Sequence, residues 1–189
     1  MKWDNLINSF LKLNSQLNLS SIREYDGVYQ KHILDSLELE KVLPLAANRT
    51  VCDIGTWWGF PLLPLAMSYP QVHFIGIDAR KKKVEAVNQL IKELEISNAH
   101  AIRTRSEDYE GSFDVVTARA VGYVDKIIPW SYHLIKKWGH LVLYKQVSEE
   151  EKKDLVKLCK EYKLKLIHEH LYRLGEGDIE RVIYVLKKN

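Results

Sequence analysis

The sequence predicts an α/β fold: a mostly parallel sheet with helices on both faces, behind a short helical extension at the N-terminus. Three observations predict it. Ahead of residue 49 the apolar spacing is helical. From Thr50 onward short apolar runs alternate with longer helical periods, the β-α-β pattern of a parallel sheet. The last two apolar runs have no long helix between them, which predicts an antiparallel edge.

Asp4 to Leu17 reads as an amphipathic helix, with Leu6, Ile7, Phe10, Leu13 and Leu17 at helical spacing. A polar turn follows over Asn18 to Asp26. A second helix is expected from about Gly27 to Val42, and Pro44 ends it. Val51–Ile54 is a strand, Pro61–Ser68 a helix and Val72–Ile77 a strand. Arg80–Leu94 is a helix with Val84, Val87, Ile91 and Leu94 on one face. Ala99–Arg103 and Asp114–Thr117 are strands, Val124–Ile135 a helix and His140–Tyr144 a strand. Ser148 and Glu151 form a capping-box pattern, in which hydroxyl and carboxylate satisfy the free amides of a helix start. Lys165–His168 and Arg181–Leu186 are the closing strands. The expected division is residues 1–48 as a helical extension packed on the core and 49–189 as the main domain.

Composition narrows the class. The 189 residues carry 28 Lys and Arg against 25 Asp and Glu, a net charge of +3. That mild basicity permits an RNA partner without demanding one. Two cysteines, with no CxxC or Cys/His cluster, give neither a disulfide framework nor a metal site. Both Cys52 and Cys159 read as small buried apolar residues, not nucleophiles. The first ten residues lack the apolar core of a signal peptide. No apolar run approaches the roughly 18 residues that span a membrane. A reduced cytoplasmic setting, with no membrane partner and a monomeric chain, is the expectation.

In a doubly wound sheet the ligand lies beyond the carboxyl ends of the strands. The first strand runs into Asp53-Ile54-Gly55-Thr56-Trp57-Trp58-Gly59, where Gly55 permits a tight turn and close approach of a ligand. The second strand is followed by Asp78, 23 positions after Gly55, where an acid can accept from two ribose hydroxyls. The third is followed by Arg105-Ser106-Glu107-Asp108, a polar cluster that can frame an adenine edge. A dinucleotide would need G-x-G-x-x-G for its pyrophosphate, and Trp57 occupies the middle glycine position. S-adenosylmethionine has no pyrophosphate and depends less on that anion site. These features predict a Rossmann-like methyltransferase that uses S-adenosylmethionine. The plain alternative is that the glycines only turn the chain and Asp78 only caps the following helix.

Several stretches resemble the bacterial small-subunit (16S) ribosomal RNA guanine-N7 methyltransferases, RsmG or GidB. They are Asn18-Leu19-Ser20-Ser21-Ile22-Arg23, Lys31-His32-Ile33-Leu34-Asp35-Ser36-Leu37, Asp53-Ile54-Gly55-Thr56, Gly59-Phe60-Pro61 and Ala118-Arg119-Ala120-Val121. The resemblance implies a cofactor site at Gly55, Phe60, Ser106, Glu107 and Arg119, with Asp78 on the ribose. It implies a guanine of 16S ribosomal RNA, free or in the small subunit, as substrate. It also implies Arg23, His32 and Lys145 as RNA-side residues. Arg119 then pairs either with the methionine carboxylate or with a phosphate. Guanine N7 carries a lone pair and no proton, so no catalytic base is expected. The chain also lacks the Asn-Pro-Pro-Tyr loop of many exocyclic-amine methyltransferases; Thr117-Ala118-Arg119-Ala120 stands there.

The sequence departs from the family's usual Gly-Thr-Gly-x-Gly-Phe-Pro-Gly at Trp57 and Leu62, and has Lys145-Gln146 where Lys-Gly is usual. The Trp57 indole either blocks the path of the methionine part or points away from it. Two further functions therefore stand beside the first: an RNA- or ribosome-binding protein on a methyltransferase scaffold, and a small-molecule methyltransferase. The Arg80-Lys81-Lys82-Lys83 run is either a solvated face or a phosphate contact.

Overall fold

The computed structural model describes residues 2–18, 20–175 and 179–189. Leu19, part of one family-like stretch, lies outside the described residues.

Helix α1 (Asp4–Leu17) spans the expected residues and buries Leu6, Ile7, Phe10 and Leu13. It ends at Asn18, whose left-handed backbone (φ 50°) lets its N–H reach the Asn14 carbonyl. The Asn14 amide holds the following turn: its nitrogen donates to the carbonyls of Ser20 (3.1 Å) and Ile22 (2.9 Å), and its oxygen accepts from Ser20 N–H (2.8 Å).

The second expected helix is not one regular cylinder. It comprises α2 (Tyr25–Val28), a π-helical turn (Tyr29–Leu34), α3 (Asp35–Leu37) and a 3₁₀ turn (Glu38–Lys41). The extra residue of a π turn shifts the phase of the side chains that follow. Here His32, Asp35 and Ser36 are all buried. Hydrophobic spacing signals a helix but not this local widening.

The sheet has seven strands in the order β3-β2-β1-β4-β5-β7-β6. They are β1 (Thr50–Ile54), β2 (His73–Asp78), β3 (Ala99–Arg103), β4 (Phe113–Arg119), β5 (Ile135–Gln146), β6 (Leu164–Arg173) and β7 (Glu180–Lys188). The first five pair in parallel. The antiparallel edge is a hairpin: β7 runs against β5, and β6 pairs with β7 on the outside. Successive strand residues feed two cores, as expected of a sheet covered on both faces. Val51, Phe74, Val142 and Tyr144 face one, with α1, α4 (Leu62–Ser68) and α5 (Lys81–Glu93). Cys52, Ile54, Leu141 and Leu143 face the other, with α6 (Val124–Ser131) and α7 (Glu149–Glu161). Both cysteines are buried and free.

Two local expectations are corrected. Ser148 Oγ accepts from Glu151 N–H (3.2 Å), so half of the capping box forms. The Glu151 carboxylate does not return to Ser148; it accepts from Val124 N–H (3.1 Å) and pairs with Lys145. Strand β5 starts at Ile135, five residues before the expected start, because the chain enters it through an irregular stretch. Trp138 there has φ 66°, and the pairing with β4 shifts between Phe113 and Val115.

Candidate active site

The strand order reverses direction between β1 and β4, and a crevice opens at such a point beyond the carboxyl ends of the strands. Gly55 follows β1 with φ +62°, and a methyl group there would come within 2.8 Å of Val121 Cγ2. The loop from β4 therefore packs directly on the backbone of the loop from β1, which only glycine permits. Trp57 also takes a left-handed backbone, φ 51°, where a tryptophan is strained.

A cavity of about 400 Å³ opens here. Four of the six expected cofactor residues line it: Gly55, Asp78, Ser106 and Glu107. They come from the ends of β1, β2 and β3, which are neighbours in the sheet. Asp78 also holds the turn that leads into α5, since Oδ1 accepts from Arg80 N–H at 2.9 Å. Its other oxygen stands 3.7 Å from Lys83 Nζ. Burial lowers the Lys83 pKa, and the Asp78 carboxylate works against that shift. Ser106 Oγ donates to Glu107 Oε2 (2.9 Å), which aligns that carboxylate at the rim.

Phe60 and Arg119 do not line the cavity. Phe60 is 1% exposed, stacked on His32 (centroids 4.8 Å) and edge-on to Phe10 (5.2 Å). The apolar ring gains more from the N-terminal helices than from a polar crevice. The Arg119 side chain is 10% exposed; its Nε lies 2.7 Å from Asp35 Oδ2. Its Nη2 donates to the Lys31 carbonyl (2.7 Å) and lies 3.2 Å from His32 Nδ1.

The RNA-side residues separate as well. Arg23 is exposed and donates to Asn18 Oδ1 (2.5 Å). His32 is 3% exposed, so its place is the interior beside Arg119 rather than a free surface. Burial, then the Arg119 charge, pushes its pKa down to about 3. Lys145 is 8% exposed, paired with Glu151 and donating to the Gly122 carbonyl (2.5 Å). Both His32 and Lys145 thus face buried partners and not a free surface.

The family model described as rRNA small subunit methyltransferase G (GidB) matches residues 1–179. The chain belongs to the rRNA small subunit methyltransferase G family. A ribosomal RNA small subunit methyltransferase G of Lysinibacillus sphaericus is 31% identical over 182 residues, covering 93% of this chain and 76% of the relative. That of Lachnoclostridium phytofermentans is 34% identical over 187 residues, covering 94% and 76%. The chain thus spans about three quarters of the length of these relatives. The solved structure of P. horikoshii TYW2 in complex with MeSAdo is 17% identical with a TM-score of 0.68, covering 82% of this chain and 62% of that one. That likeness is one of fold.

Within this methyltransferase G fold, sequence reasoning missed several residues. Lys83 lies in a basic run that reads as a solvated face, yet it lines the cavity. Its signal was its place five residues after Asp78, on the first turn of α5. Trp130 lines the cavity from α6, and nothing in its local spacing marked it. Asp35 stood in a family-like stretch without a role. It is fully buried, and besides Arg119 it accepts from Tyr172 Oη (2.5 Å) and faces Arg181 Nη2 (3.5 Å). Asp53, under the loop, accepts from Thr117 Oγ1 (2.8 Å); burial raises its pKa to about 7, against that hydrogen bond.

Proposed function

We propose that this chain is an S-adenosylmethionine-dependent methyltransferase that acts on N7 of a guanine in 16S ribosomal RNA, free or in the small subunit. The observation that carries the proposal is the cavity at the switch point, framed by Gly55, Asp78 and Glu107, in a chain of this family. The relatives' name, ribosomal RNA small subunit methyltransferase G, supports the RNA class.

The residues present fit the donor. Gly55 leaves backbone open to it. Asp78 suits its ribose hydroxyls, and Ser106 with Glu107 suits the adenine edge. Arg119 Nη1 is buried without a hydrogen-bond partner, and such a donor suits a carboxylate. When bound, the donor supplies an electrophilic methyl group on a sulfonium.

The protein's part is alignment and exclusion of water, because N7 needs no proton removed. The N-terminal helical extension, residues 1–48, shapes the substrate side of the methyltransferase domain, residues 49–189. His32 and Asp35, which reach Arg119 from that extension, support the division. Arg23 is the RNA-side candidate whose exposure suits a phosphate contact. The enzyme works as a monomer in the cytoplasm. In keeping with that setting, no helix among the described residues is long and apolar enough to cross a membrane.

Methyl transfer to purified ribosomal RNA, compared with a panel of small nucleophiles, tests the proposal. Transfer to RNA alone is the expected result. Transfer only to small nucleophiles, or no donor binding at millimolar concentration in calorimetry, would overturn it.

A further inference from the structure

Trp138 stands at the entrance to β5, 57% exposed, on a left-handed backbone of φ 66°. Gly139 follows in a tight bend, where a methyl group would come within 2.9 Å of the Lys136 carbonyl oxygen and 3.0 Å of that of Asp114. The bend is set by the backbone, and glycine would suit its left-handed position best. A tryptophan there is strained, and it returns little of that cost by burial. Such an outlier needs a reason outside the fold.

Cations surround the ring. Lys137 Nζ lies 5.1 Å and Lys187 Nζ 5.7 Å from its centroid. Lys165, exposed, is the direct cross-strand partner of Lys187 and shares its sheet face. Among the described residues, no carboxylate pairs with any of these three lysines. Asp114, beneath the bend, is already held by Arg49 and Lys136 at 3.0 Å each. His140 pairs with Lys187 from the other side, and burial, then the Lys187 and Arg49 charges, lowers its pKa. The patch is therefore an open aromatic face in a positive field, the chemistry that holds a stacked base by its ring and its phosphates.

We propose that Trp138, with Lys137 and Lys187, stacks an unpaired nucleotide of the RNA substrate at the end of the sheet away from the methyl-transfer site. The inference rests on the RNA reading of the substrate. It adds a second anchoring point that never touches the reacting base. Trp138 enters β5 at the amino ends of the parallel strands, whereas the cofactor crevice lies beyond their carboxyl ends. The neighbouring strand β4 has seven residues, which sets the two places roughly 23 Å apart. A ribosomal RNA is long enough to reach both, and a small nucleophile is not.

The affinity of the full chain for two RNAs tests this, a single strand of about twelve nucleotides and a duplex of the same length. Trp138→Gly should keep the urea midpoint, because glycine relaxes the left-handed backbone. It should weaken the single strand about tenfold, the scale of losing one stacked base, and the duplex less than about twofold. Trp138→Phe keeps a stacking face and should hold the single strand within about threefold of the wild type. Lys137→Gln with Lys187→Gln should lower the slope of log affinity against log salt by about 1.4 for the single strand. Binding of S-adenosylhomocysteine should be the same in every variant. If Trp138→Gly leaves the single strand unchanged, or weakens both RNAs equally, the stacking site is wrong while the RNA reading stands. If it weakens binding to small ribosomal subunits and to neither RNA, Trp138 meets a protein and the proposal is overturned. If the wild type binds neither RNA and no 16S ribosomal RNA, the RNA reading itself fails.

Discussion

Asp78 holds two tasks at one carboxylate. It holds the turn into α5 through Arg80 N–H, and it presents charge to the cavity beside Lys83. Asp78→Ala should therefore weaken S-adenosylhomocysteine binding by about tenfold or more, since a charged hydrogen bond is worth roughly 1.5–3 kcal/mol. It should also cost about 1 kcal/mol of stability through the lost hydrogen bond to Arg80 N–H. Calorimetry and urea unfolding read the two effects separately, and a stability loss with unchanged affinity would reduce Asp78 to a turn-forming residue. Asp53 and His32 set a second residue-scale test. Burial pushes the Asp53 carboxyl up to about 7 in the fold from an ordinary 3.8, so its stabilising contribution is present below about pH 3.8 and is lost as pH rises towards 7. His32 is depressed to about 3 from 6.5, so its contribution is present above pH 6.5 and is lost as pH falls towards 3. Between these limits the two oppose each other. Asp53→Asn should expose the His32 dependence, and urea midpoints should fall more steeply from pH 6.5 to 4 than in the wild type. Parallel profiles for the two proteins would contradict both assignments.

At the scale of elements, one buried acid ties four pieces of chain together. Asp35 on α3 meets Arg119 at the end of β4, Tyr172 on β6 and Arg181 on β7. Removing one partner of a buried ion pair strands the others, at roughly 3–5 kcal/mol. Asp35→Ala should lose stability on that scale in urea unfolding, and a loss under about 1 kcal/mol would show the cluster to be well hydrated. Gly55→Ala should damage binding as well as stability, because it combines a left-handed φ with a 2.8 Å approach to Val121. The central strands β1 and β4 were legible because they are short apolar runs buried on both faces, as Val51 and Cys52 show by facing different cores. The Ser148 cap was legible because it is local. The π turn at Tyr29–Leu34 was not, since its hydrophobic spacing is still helical and its reason lies in residues far along the chain. The same holds for the site. Gly55, Asp78, Ser106 and Glu107 follow from strand ends, and they line one cavity. His32, Arg119 and Lys145 turn inward toward Asp35 and Glu151, and sequence position carries no direction for a side chain.

For the whole molecule, the net charge of +3 is too small to explain RNA binding by bulk attraction. Recognition must come from where the charge sits. Arg80, Lys81 and Lys82 are exposed on the helix start beside the cavity, with Lys81 3.6 Å from Glu85. If phosphates land there, replacing Lys81 and Lys82 together by Ala should reduce the slope of log affinity against log salt by about 2 for RNA. Donor affinity should stay unchanged. An unchanged slope would make the run a solvated face.

Methylation of guanine N7 in 16S ribosomal RNA is tested most directly by mass spectrometry of nucleosides from 16S RNA incubated with the protein and S-adenosylmethionine, as naked RNA and as small subunits. The expected result is new 7-methylguanosine with at least one of the two substrates, lost with Asp78→Ala. No new 7-methylguanosine with either substrate, or methyl groups appearing at another atom, would contradict the account.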